Sequence, residues 1–348
     1  MRVRRMGMIG LALLAACGAV VPSTTGDSAP EKLTLLAHDS FVGGVTEQTF
    51  AAFTAETGTR VELLQGGDAG TMLAQAIITK NDPIADILFG VDDTFLSKAL
   101  QESLFVPYES PLLGDVPGEL QLDSGHRVTP IDYGDVCLNY DKAAFGDGLA
   151  PPASLDELTD PAYRSMLVVE NPATSSPGLA FLLATIAEYG DQWPDFWHSL
   201  VDNDVEVSPS WDDAYYSRFS AHDGDRPLVV SYASSPPAEV IYATQPMSDA
   251  PTGVITAGCY RQVEFAGILA GTSSEPAAGG LIDFMLQKGF QDTIPLTWFV
   301  YPANRQAELP EQFVQYTDVP DDPAQVAPEE IEVNRQSWIE QWQQIVLP

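Results

Sequence analysis

Residues 60–104 read RVELLQGGDAGTMLAQAIITKNDPIADILFGVDDTFLSKALQESL, and this stretch decides the fold. Its short apolar runs at 60–64 and 85–90 have the length of β-strands, whereas its amphipathic segments at 70–80 and 94–104 have helical spacing. Strands and helices that alternate in this way predict a doubly wound α/β fold with a mostly parallel sheet.

The same alternation continues on both sides of this stretch. Before it, the pattern predicts a strand at 32–37 and a helix at 45–57. After it, a second set of elements is predicted, with strands at 166–169, 205–208 and 227–232 and helices at 177–189, 213–220 and 238–243. The apolar segments 128–140 and 260–270 are long enough to cross between two lobes. A last helix, at 328–347, is expected to pack on the first lobe.

Acidic residues follow the first three predicted strands. Asp39 comes after the first, Asp68 after the second, and Asp92 and Asp93 after the third. Ligands of open α/β sheets bind at the loops that leave the carboxyl ends of the strands. These loops are therefore candidates for a binding site.

The charge of the chain excludes several classes of partner. Its 348 residues include 16 Lys and Arg against 49 Asp and Glu, a formal net charge of −33. Such a surface repels phosphate backbones and anionic lipid headgroups, which argues against nucleic-acid binding and polybasic membrane docking. With 45% hydrophobic residues, the chain can still bury a sizeable core.

The N-terminus has the features of a bacterial lipoprotein signal. Arg2, Arg4 and Arg5 precede an apolar run at 6–16, which is too short to span a bilayer. The run ends in LAAC at 14–17, so we expect a signal peptide at 1–16, a lipidated Cys17 and a flexible tether at 17–31. An ordinary signal peptide with a chance cysteine is the alternative. Either way, the protein is expected outside the cytoplasm.

Two cysteines remain after processing, Cys137 and Cys259. In an oxidising compartment an even pair predicts a possible disulfide. Two buried free thiols, or one reactive thiol, are the alternatives that the sequence leaves open.

Three loops carry side chains suited to ligand binding. Thr174, Ser175 and Ser176 open a predicted helix, with Ser176 as its N-cap, where free N–H groups can hold an anion such as phosphate; plain capping is the alternative. Trp211 lies between a strand and a helix, where its ring can stack on a flat ligand or face a cation, unless it packs in the core. The segment SYASSP at 231–236 also joins a strand to a helix, either as ligand-binding hydroxyls or as a polar turn. Trp193, Trp197 and Trp298 are expected in the core.

Enzymatic signatures are missing from the sequence. It contains no GxSxG, P-loop, HExxH or strand-linked GxGxxG motif, and its four histidines lack metal-ligand spacing. A binding protein without catalysis, cofactor or metal explains the chain better than an enzyme.

Collinear stretches over almost the whole mature chain resemble the thiamine-binding proteins of bacterial ABC importers. They are HDSF at 38–41, ADILFG at 85–90, DYG at 132–134, YDK at 140–142, TSSPGL at 174–179, Trp211 with Ala214 and Tyr215, SY at 231–232, SP at 235–236, QVE at 262–264, IP at 294–295, YP at 301–302, and Arg335, Trp338 and Trp342 in the tail. The resemblance implies a two-lobed periplasmic-binding fold of type II, with lobe 1 at 32–131 and 263–348, lobe 2 at 132–262, and two crossing strands as the hinge. It also implies a monomer that binds thiamine or its phosphates in the cleft and delivers it to a membrane permease driven by an ATPase.

The resemblance places the ligand contacts on the loops described above. They fall on Asp68, Ala69, Ser175, Ser176, Trp211, Tyr232, Ala233, Ser234, Ser235 and Pro236. Trp211 and Tyr232 would supply π faces, and Asp68, or Asp39 with its neighbour Ser40, would face the cation or the amino group of thiamine.

Departures from the family pattern leave alternatives. His38 and Ala238 stand where tyrosines are common, and a tryptophan expected shortly after Phe41 is absent, so fewer rings are expected at the site. A same-fold importer component for a polyamine, Fe³⁺ or a thiamine precursor is one alternative, although Tyr215 and Tyr216 are the only adjacent tyrosines for iron. A thiaminase-I-like enzyme with Cys137 as nucleophile is another, and a sensory or scaffold lipoprotein is a third.

Overall fold

The computed structural model describes residues 29–146 and 148–347, apart from the side chain of Glu47. The predicted signal peptide, Cys17 and most of the tether lie outside these residues. In the part of the chain described, no helix is long and apolar enough to cross a membrane.

One mixed sheet runs through the whole molecule. Its strands within the described residues are β1 Lys32–Ala37, β2 Arg60–Gln65, β3 Ile87–Asp92, β4 Phe105–Val106, β5 Thr129–Asp141, β6 Leu167–Glu170, β7 Glu206–Ser208, β8 Leu228–Tyr232, β9 Thr252–Leu269 and β10 Tyr301–Pro302. Their order is β2-β1-β3-β9-β5-β8-β6-β7, with β4 on β9 and β10 on β5. The triplets β2-β1-β3 and β8-β6-β7 are parallel, and the antiparallel pair β9 and β5 joins them. The α/β prediction of two lobes with mostly parallel sheets is confirmed.

Helices flank both triplets. They are α1 Asp39–Gly44, α2 Ala51–Thr57, α3 Ala69–Ile78, α4 Asp93–Gln101, α5 Ser176–Tyr189, α6 Trp193–Asp202, α7 Trp211–Asp213, α8 Ser235–Ile241, α9 Glu275–Leu286, α10 Lys288–Gln291, α11 Ile294–Thr297, α12 Glu311–Tyr316 and α13 Pro328–Val346. The predicted helix at 45–57 is interrupted, because residues 47–50 form a 3₁₀ turn before α2. The predicted helix at 213–220 is instead α7 followed by a π-helical turn over 214–218.

The strands β5 and β9 cross between the lobes, as predicted, but β9 begins eight residues earlier than expected. Its register with β5 shifts, so that Val136 lies opposite Tyr260 whereas Leu138 lies opposite Ile255. The extra residues on β9 bulge out of the ladder and bring Cys259 to Cys137, with 4.3 Å between their Cα atoms. The two cysteines form a disulfide between the crossing strands. The lobe boundaries at 131/132 and 262/263 stay a prediction.

The C-terminal helix packs on both lobes. The guanidinium of Arg335 lies 5.2 Å from the ring of Phe95 in α4, on the first lobe. Farther along, the ring of Trp342 meets that of Trp197 in α6, on the second lobe, with 5.4 Å between centroids. The expectation that this helix packs on the first lobe is therefore too narrow.

Candidate functional site

A cavity of about 690 Å³ lies between the two lobes. Its walls come from α1, α11 and the crossing strand β9 on one side, and from the segments after β7 and β8 on the other. The lining residues are His38, Asp39, Ser40, Gly43, Gly44, Trp211, Asp212, Tyr215, Tyr216, His222, Tyr232, Ser235, Ala238, Glu239, Tyr242, Glu264, Thr297, Trp298, Phe299 and Val300. A smaller cavity of about 20 Å³ adjoins it, lined in part by Asp68, Ala69, Ser176 and Pro177.

His38 and Glu264 form the floor that the two cavities share. His38 caps α1 by accepting the backbone N–H of Phe41 on Nδ1 at 3.3 Å, so that Nε2 faces Glu264 Oε1 at 3.3 Å. The ring lies against Gly90, whose φ is +95°; a Cβ at that position would come within 2.1 Å of it. Burial lowers the pKa of His38, but the neighbouring Glu264 outweighs this effect and the pKa is raised.

Asp68 joins the lobes through its carboxylate. One oxygen accepts the N–H of Ala69 at 2.7 Å and caps α3, and the other accepts the N–H of Trp211 across the cleft at 3.0 Å. Beside it, the N–H of Gly70 donates to Thr174 O at 2.9 Å. Burial raises the pKa of Asp68, although the two backbone donors oppose the shift. Both oxygens already accept a hydrogen bond, so the geometry gives Asp68 a latching contact between lobes.

Trp211 forms the centre of the aromatic wall. Its ring stacks on Tyr215 with 5.0 Å between centroids and 17° between planes. Its indole N–H donates to the hydroxyl of Ser231 at 3.0 Å, and that hydroxyl pairs with Ser235 at 2.8 Å. The end of β8, supported by Ser235 of α8, thus holds the indole in place, while Tyr232 adds an edge-on ring.

Five aromatic side chains at the cavity, Phe299 of the first lobe among them, were not predicted as site residues. Tyr215, Tyr216 and Tyr242 line it from the second lobe, and Trp298, expected in the core, lines it from the first. Trp193 and Trp197 are buried as expected. The expectation of fewer rings than in the family pattern stays a prediction. For Tyr215 and Tyr216 the available signal was their tandem position after Trp211, since a helical turn at a strand end places them near the cleft.

The helix α5 begins one residue earlier than predicted, at Ser176, with Ser175 as its N-cap. Both serines are buried, and the cavity beside Ser176 is small, at about 20 Å³. The acids Asp68 and Glu264 line that same cavity. These surroundings do not favour the predicted anion site.

Some of the residues predicted to contact the ligand line one of the two cavities, and the others lie outside both linings. Asp39, Ser40, Trp211, Tyr232 and Ser235 line the main cavity, and Asp68, Ala69 and Ser176 the small one. Four others lie outside the lining of both cavities in the described chain: Ser175, Ala233, Ser234 and Pro236. Ala233 packs on the disulfide, and the hydroxyl of Ser234 donates to Phe299 O across the lobes. That any of these residues contacts a ligand stays a prediction.

The electrostatics of the main cavity are one-sided. Asp39, Asp212, Glu239 and Glu264 line it, and among its lining residues no Lys or Arg occurs. Glu239 accepts from the hydroxyl of Tyr215 at 2.7 Å and pairs with His222 at 2.9 Å, and this hydrogen bond raises the pKa of His222. Aromatic faces beside carboxylates suit a flat organic cation. Within the described ranges no group of three or more His, Cys, Asp or Glu side chains is arranged to hold a metal ion.

Residues 82–320 match the model of a protein family described as bacterial extracellular solute-binding protein. The chain belongs to this family. The solute-binding protein is 30% identical over 325 residues to the thiamine-binding periplasmic protein of Escherichia coli K12, covering 90% of this chain and 93% of the relative. It is 29% identical over 328 residues to the protein of the same name from Brucella melitensis, with 93% and 95% covered.

Solved structures agree with the fold of this solute-binding protein. A periplasmic thiamin binding protein superposes with a TM-score of 0.80 at 27% identity, covering 90% of this chain and 96% of that one. The periplasmic binding protein P5PA and the iron-bound HitA of Pseudomonas aeruginosa give TM-scores of 0.77 and 0.72 at 16% and 18% identity. At such identities these two show the fold alone.

Proposed function

We propose that the protein captures thiamine between its lobes and delivers it to an ABC importer. The observation that carries the proposal is the main cavity, where aromatic rings and four carboxylates meet without a Lys or Arg among the lining residues. Thiamine combines a flat aminopyrimidine with a thiazolium ring that is permanently positive. The relatives named thiamine-binding periplasmic proteins, which align over nearly the whole chain, support the same ligand.

The two halves of thiamine match different walls. The exposed rings of Tyr216 and Tyr242, with the edge of Trp211, offer π surface to the pyrimidine and to the face of the cation. Asp39, Asp212 and Glu264 offer the negative charge that a thiazolium requires. Both halves of thiamine can thus be bound by noncovalent contacts alone.

Unphosphorylated thiamine fits this cavity better than its phosphates. Each phosphate adds negative charge to a space whose walls are acidic, and like charges at short range are repulsive. Two histidines line the cavity, and each is already paired with a carboxylate: His222 with Glu239 and His38 with Glu264. We therefore propose the affinity order thiamine, monophosphate, diphosphate.

The delivery steps follow from the transport family. We propose that a permease and its ATPase receive the ligand from a monomer outside the cytoplasm. The LAAC sequence at 14–17 supports lipidation of Cys17 as the anchor. Cys17→Ser would test this proposal, because the variant should leave the membrane fraction while it retains ligand binding.

The catalytic alternative requires a free Cys137 thiol. Cys137 is buried and bonded to Cys259, so its sulfur is not a nucleophile in this structure. We propose a binding role without catalysis. Thiol titration of the unfolded, unreduced protein should find neither of these two cysteines free, and a reactive Cys137 would reopen the enzyme hypothesis.

Calorimetric titration tests the ligand. Thiamine, its monophosphate and diphosphate, the isolated pyrimidine and a polyamine such as spermidine should be titrated in parallel into the same preparation. We expect the strongest binding for thiamine, weaker binding for each phosphate and little for the pyrimidine. Absence of binding for every thiamine form at micromolar concentration would overturn the assignment, and tight binding of spermidine alone would replace it.

A further inference from the structure

Three acidic residues lie side by side across the three central strands. Glu264 of β9 is the register partner of Asp92 in β3 and of Asp132 in β5. Residues directly opposite one another on neighbouring strands present their side chains on the same face. The three carboxyl groups therefore form a row, here called the carboxyl row, at the point where the crossing strands join the lobes. All three residues are buried.

Hydrogen bonds satisfy only part of the carboxyl row. One oxygen of Asp92 accepts from the hydroxyl of Thr94 at 2.7 Å and from the N–H of Phe95 at 3.1 Å. One oxygen of Asp132 accepts from the indole N–H of Trp298 at 3.0 Å. The second oxygen of each aspartate is buried without a hydrogen-bond partner in the described chain.

Few positive charges face the row. Among the described residues, His38 contacts Glu264, and the charge of Arg335 of α13 interacts with Asp92. Further acids add negative charge from the packed elements: Asp93 of α4, Asp68 at the start of α3 and Asp212 of α7.

The protonation states follow from this balance. Burial raises the pKa values of Asp92 and Asp132 well above the ordinary carboxyl range, and the neighbouring Asp93 and Glu264 reinforce the two shifts. Burial also raises the pKa of Asp93, to about 6. For Glu264, the charge and hydrogen bond of His38 outweigh burial, so its pKa is lowered. Glu264, whose pKa is lowered, thus lies between two carboxyl groups whose pKa values are raised, so it gives up its proton before they do.

We propose that Glu264 supplies the charge that meets the bound cation, and that binding of this cation releases protons from the carboxyl row and His38. The inference rests on the proposed function, since it requires a ligand with a permanent positive charge. Glu264 is the member of the row that lines both cavities, so the cation reaches the row through it. A positive charge placed there stabilises the ionised aspartates and competes with the protonated imidazole, and both effects send protons to solvent.

The sign of the linkage is fixed by these effects. Groups whose pKa is lower in the complex than in the free protein bind fewer protons after the ligand enters. Affinity for the cation therefore rises with pH between the lower pKa of the complex and the raised pKa of the free protein. The slope of the logarithm of the association constant against pH equals the number of protons released.

Proton release can be measured by calorimetric titration of thiamine into the wild-type protein, near neutral pH, in two buffers of different ionisation enthalpy. The expected result is a buffer-dependent heat that corresponds to release of about half a proton or more per thiamine. Asp132→Asn should bind thiamine and release fewer protons. Glu170→Gln is the matched control, because Glu170 is equally buried with a raised pKa but lies on β6 outside the cavity lining described here; its proton release should equal that of wild type.

An uncharged isostere of thiamine, in which a neutral ring replaces the thiazolium, tests the role of Glu264. Glu264→Gln should weaken thiamine binding about tenfold or more and leave binding of the isostere nearly unchanged. Equal losses for both ligands would overturn the charge role. Thiamine binding by wild type with buffer-independent heat and pH-independent affinity would overturn the proton coupling and leave the proposed function standing. Absence of thiamine binding would overturn both.

Discussion

Each lobe supplies two carboxyl groups to the cavity, whereas most of the aromatic rings come from the second lobe. Asp39 follows β1 and Glu264 lies within a central strand, so these charges are placed by the sheet. Trp211, Tyr216 and Tyr242 stand on short helical segments after β7 and β8. On the second lobe, Asp212 belongs to α7, and Glu239 accepts from the hydroxyl of Tyr215 and pairs with His222. The charge that selects a cation therefore comes from both lobes, whereas the second lobe supplies most of the rings beside it.

The largest expected effect concerns the disulfide between the crossing strands β5 and β9. Replacing Cys137 and Cys259 together with alanine should lower the free energy of unfolding by about 2–4 kcal/mol, because the crosslink closes a long loop in the unfolded chain. Urea denaturation of the variant measures this loss, with reduced wild-type protein as the reference. Equal stability of variant and oxidised wild type would show that the ladder alone holds β5 to β9.

Removing the central ring tests the aromatic side. Trp211→Ala should weaken thiamine binding by about 2 kcal/mol, since stacking and cation–π contact are lost together. Trp211→Phe should recover part of the loss. Trp338→Ala, on the C-terminal helix away from the cavity lining, is the control and should bind like wild type. Unchanged affinity in Trp211→Ala would place the ligand's rings elsewhere.

A smaller effect is expected from the latch. Asp68→Asn retains an oxygen for one backbone N–H but removes the charge that accepts the N–H of Trp211. Affinity for thiamine should fall by about 1 kcal/mol, chiefly because the closed state is weakened. Titration against the uncharged isostere separates two roles. If Asp68 only holds the lobes together, Asp68→Asn should lower the affinity for both ligands equally. A loss of affinity for thiamine alone would show that Asp68 contacts the cation directly.

The smallest effect is a pH dependence on the second lobe. The pKa of His222 is raised above its ordinary value of 6.5 by the hydrogen bond to Glu239. Its contribution to stability is therefore complete below about 6.5 and is lost as pH rises through the raised value. Because the pair is partly exposed, the contribution should stay below about 1 kcal/mol. Thermal unfolding of wild type and His222→Gln across this range should converge at alkaline pH; a gap that widens there would contradict the prediction.

Local pattern was sufficient for the loops that end strands. Alternation of strands and helices indicated the loops on which Asp68, Trp211 and Tyr232 stand, and the family resemblance placed ligand contacts on these residues. The sequence left undecided whether Cys137 and Cys259 form a disulfide, since the bulge that brings them together depends on the pairing of two distant strands. The carboxyl row has the same origin: Asp92, Glu264 and Asp132 become neighbours only through register.

Trp298 and Tyr242 show a second limit of the sequence. Trp298 follows α11, in a region where no periodic pattern predicted an element, so its direction toward the cavity could not be anticipated. Tyr242 lies at the end of a short helix, and its hydroxyl reaches Leu296 O on the other lobe at 2.7 Å. Contacts across a cleft depend on how far two lobes have closed, and nothing in the local sequence encodes that distance.

The C-terminal helix has a mechanical consequence. The helix α13 contacts Phe95 of the first lobe through Arg335 and Trp197 of the second lobe through Trp342. A wide separation of the lobes would therefore break one of these two contacts. A helix that contacts both lobes limits the angle to which they open. The ligand-free protein therefore loses less conformational entropy when the lobes close on the ligand. In a variant truncated before Arg335, the lobes should open to a wider angle and the protein should bind its solute more slowly, even though no residue of this helix is among the cavity-lining residues described here.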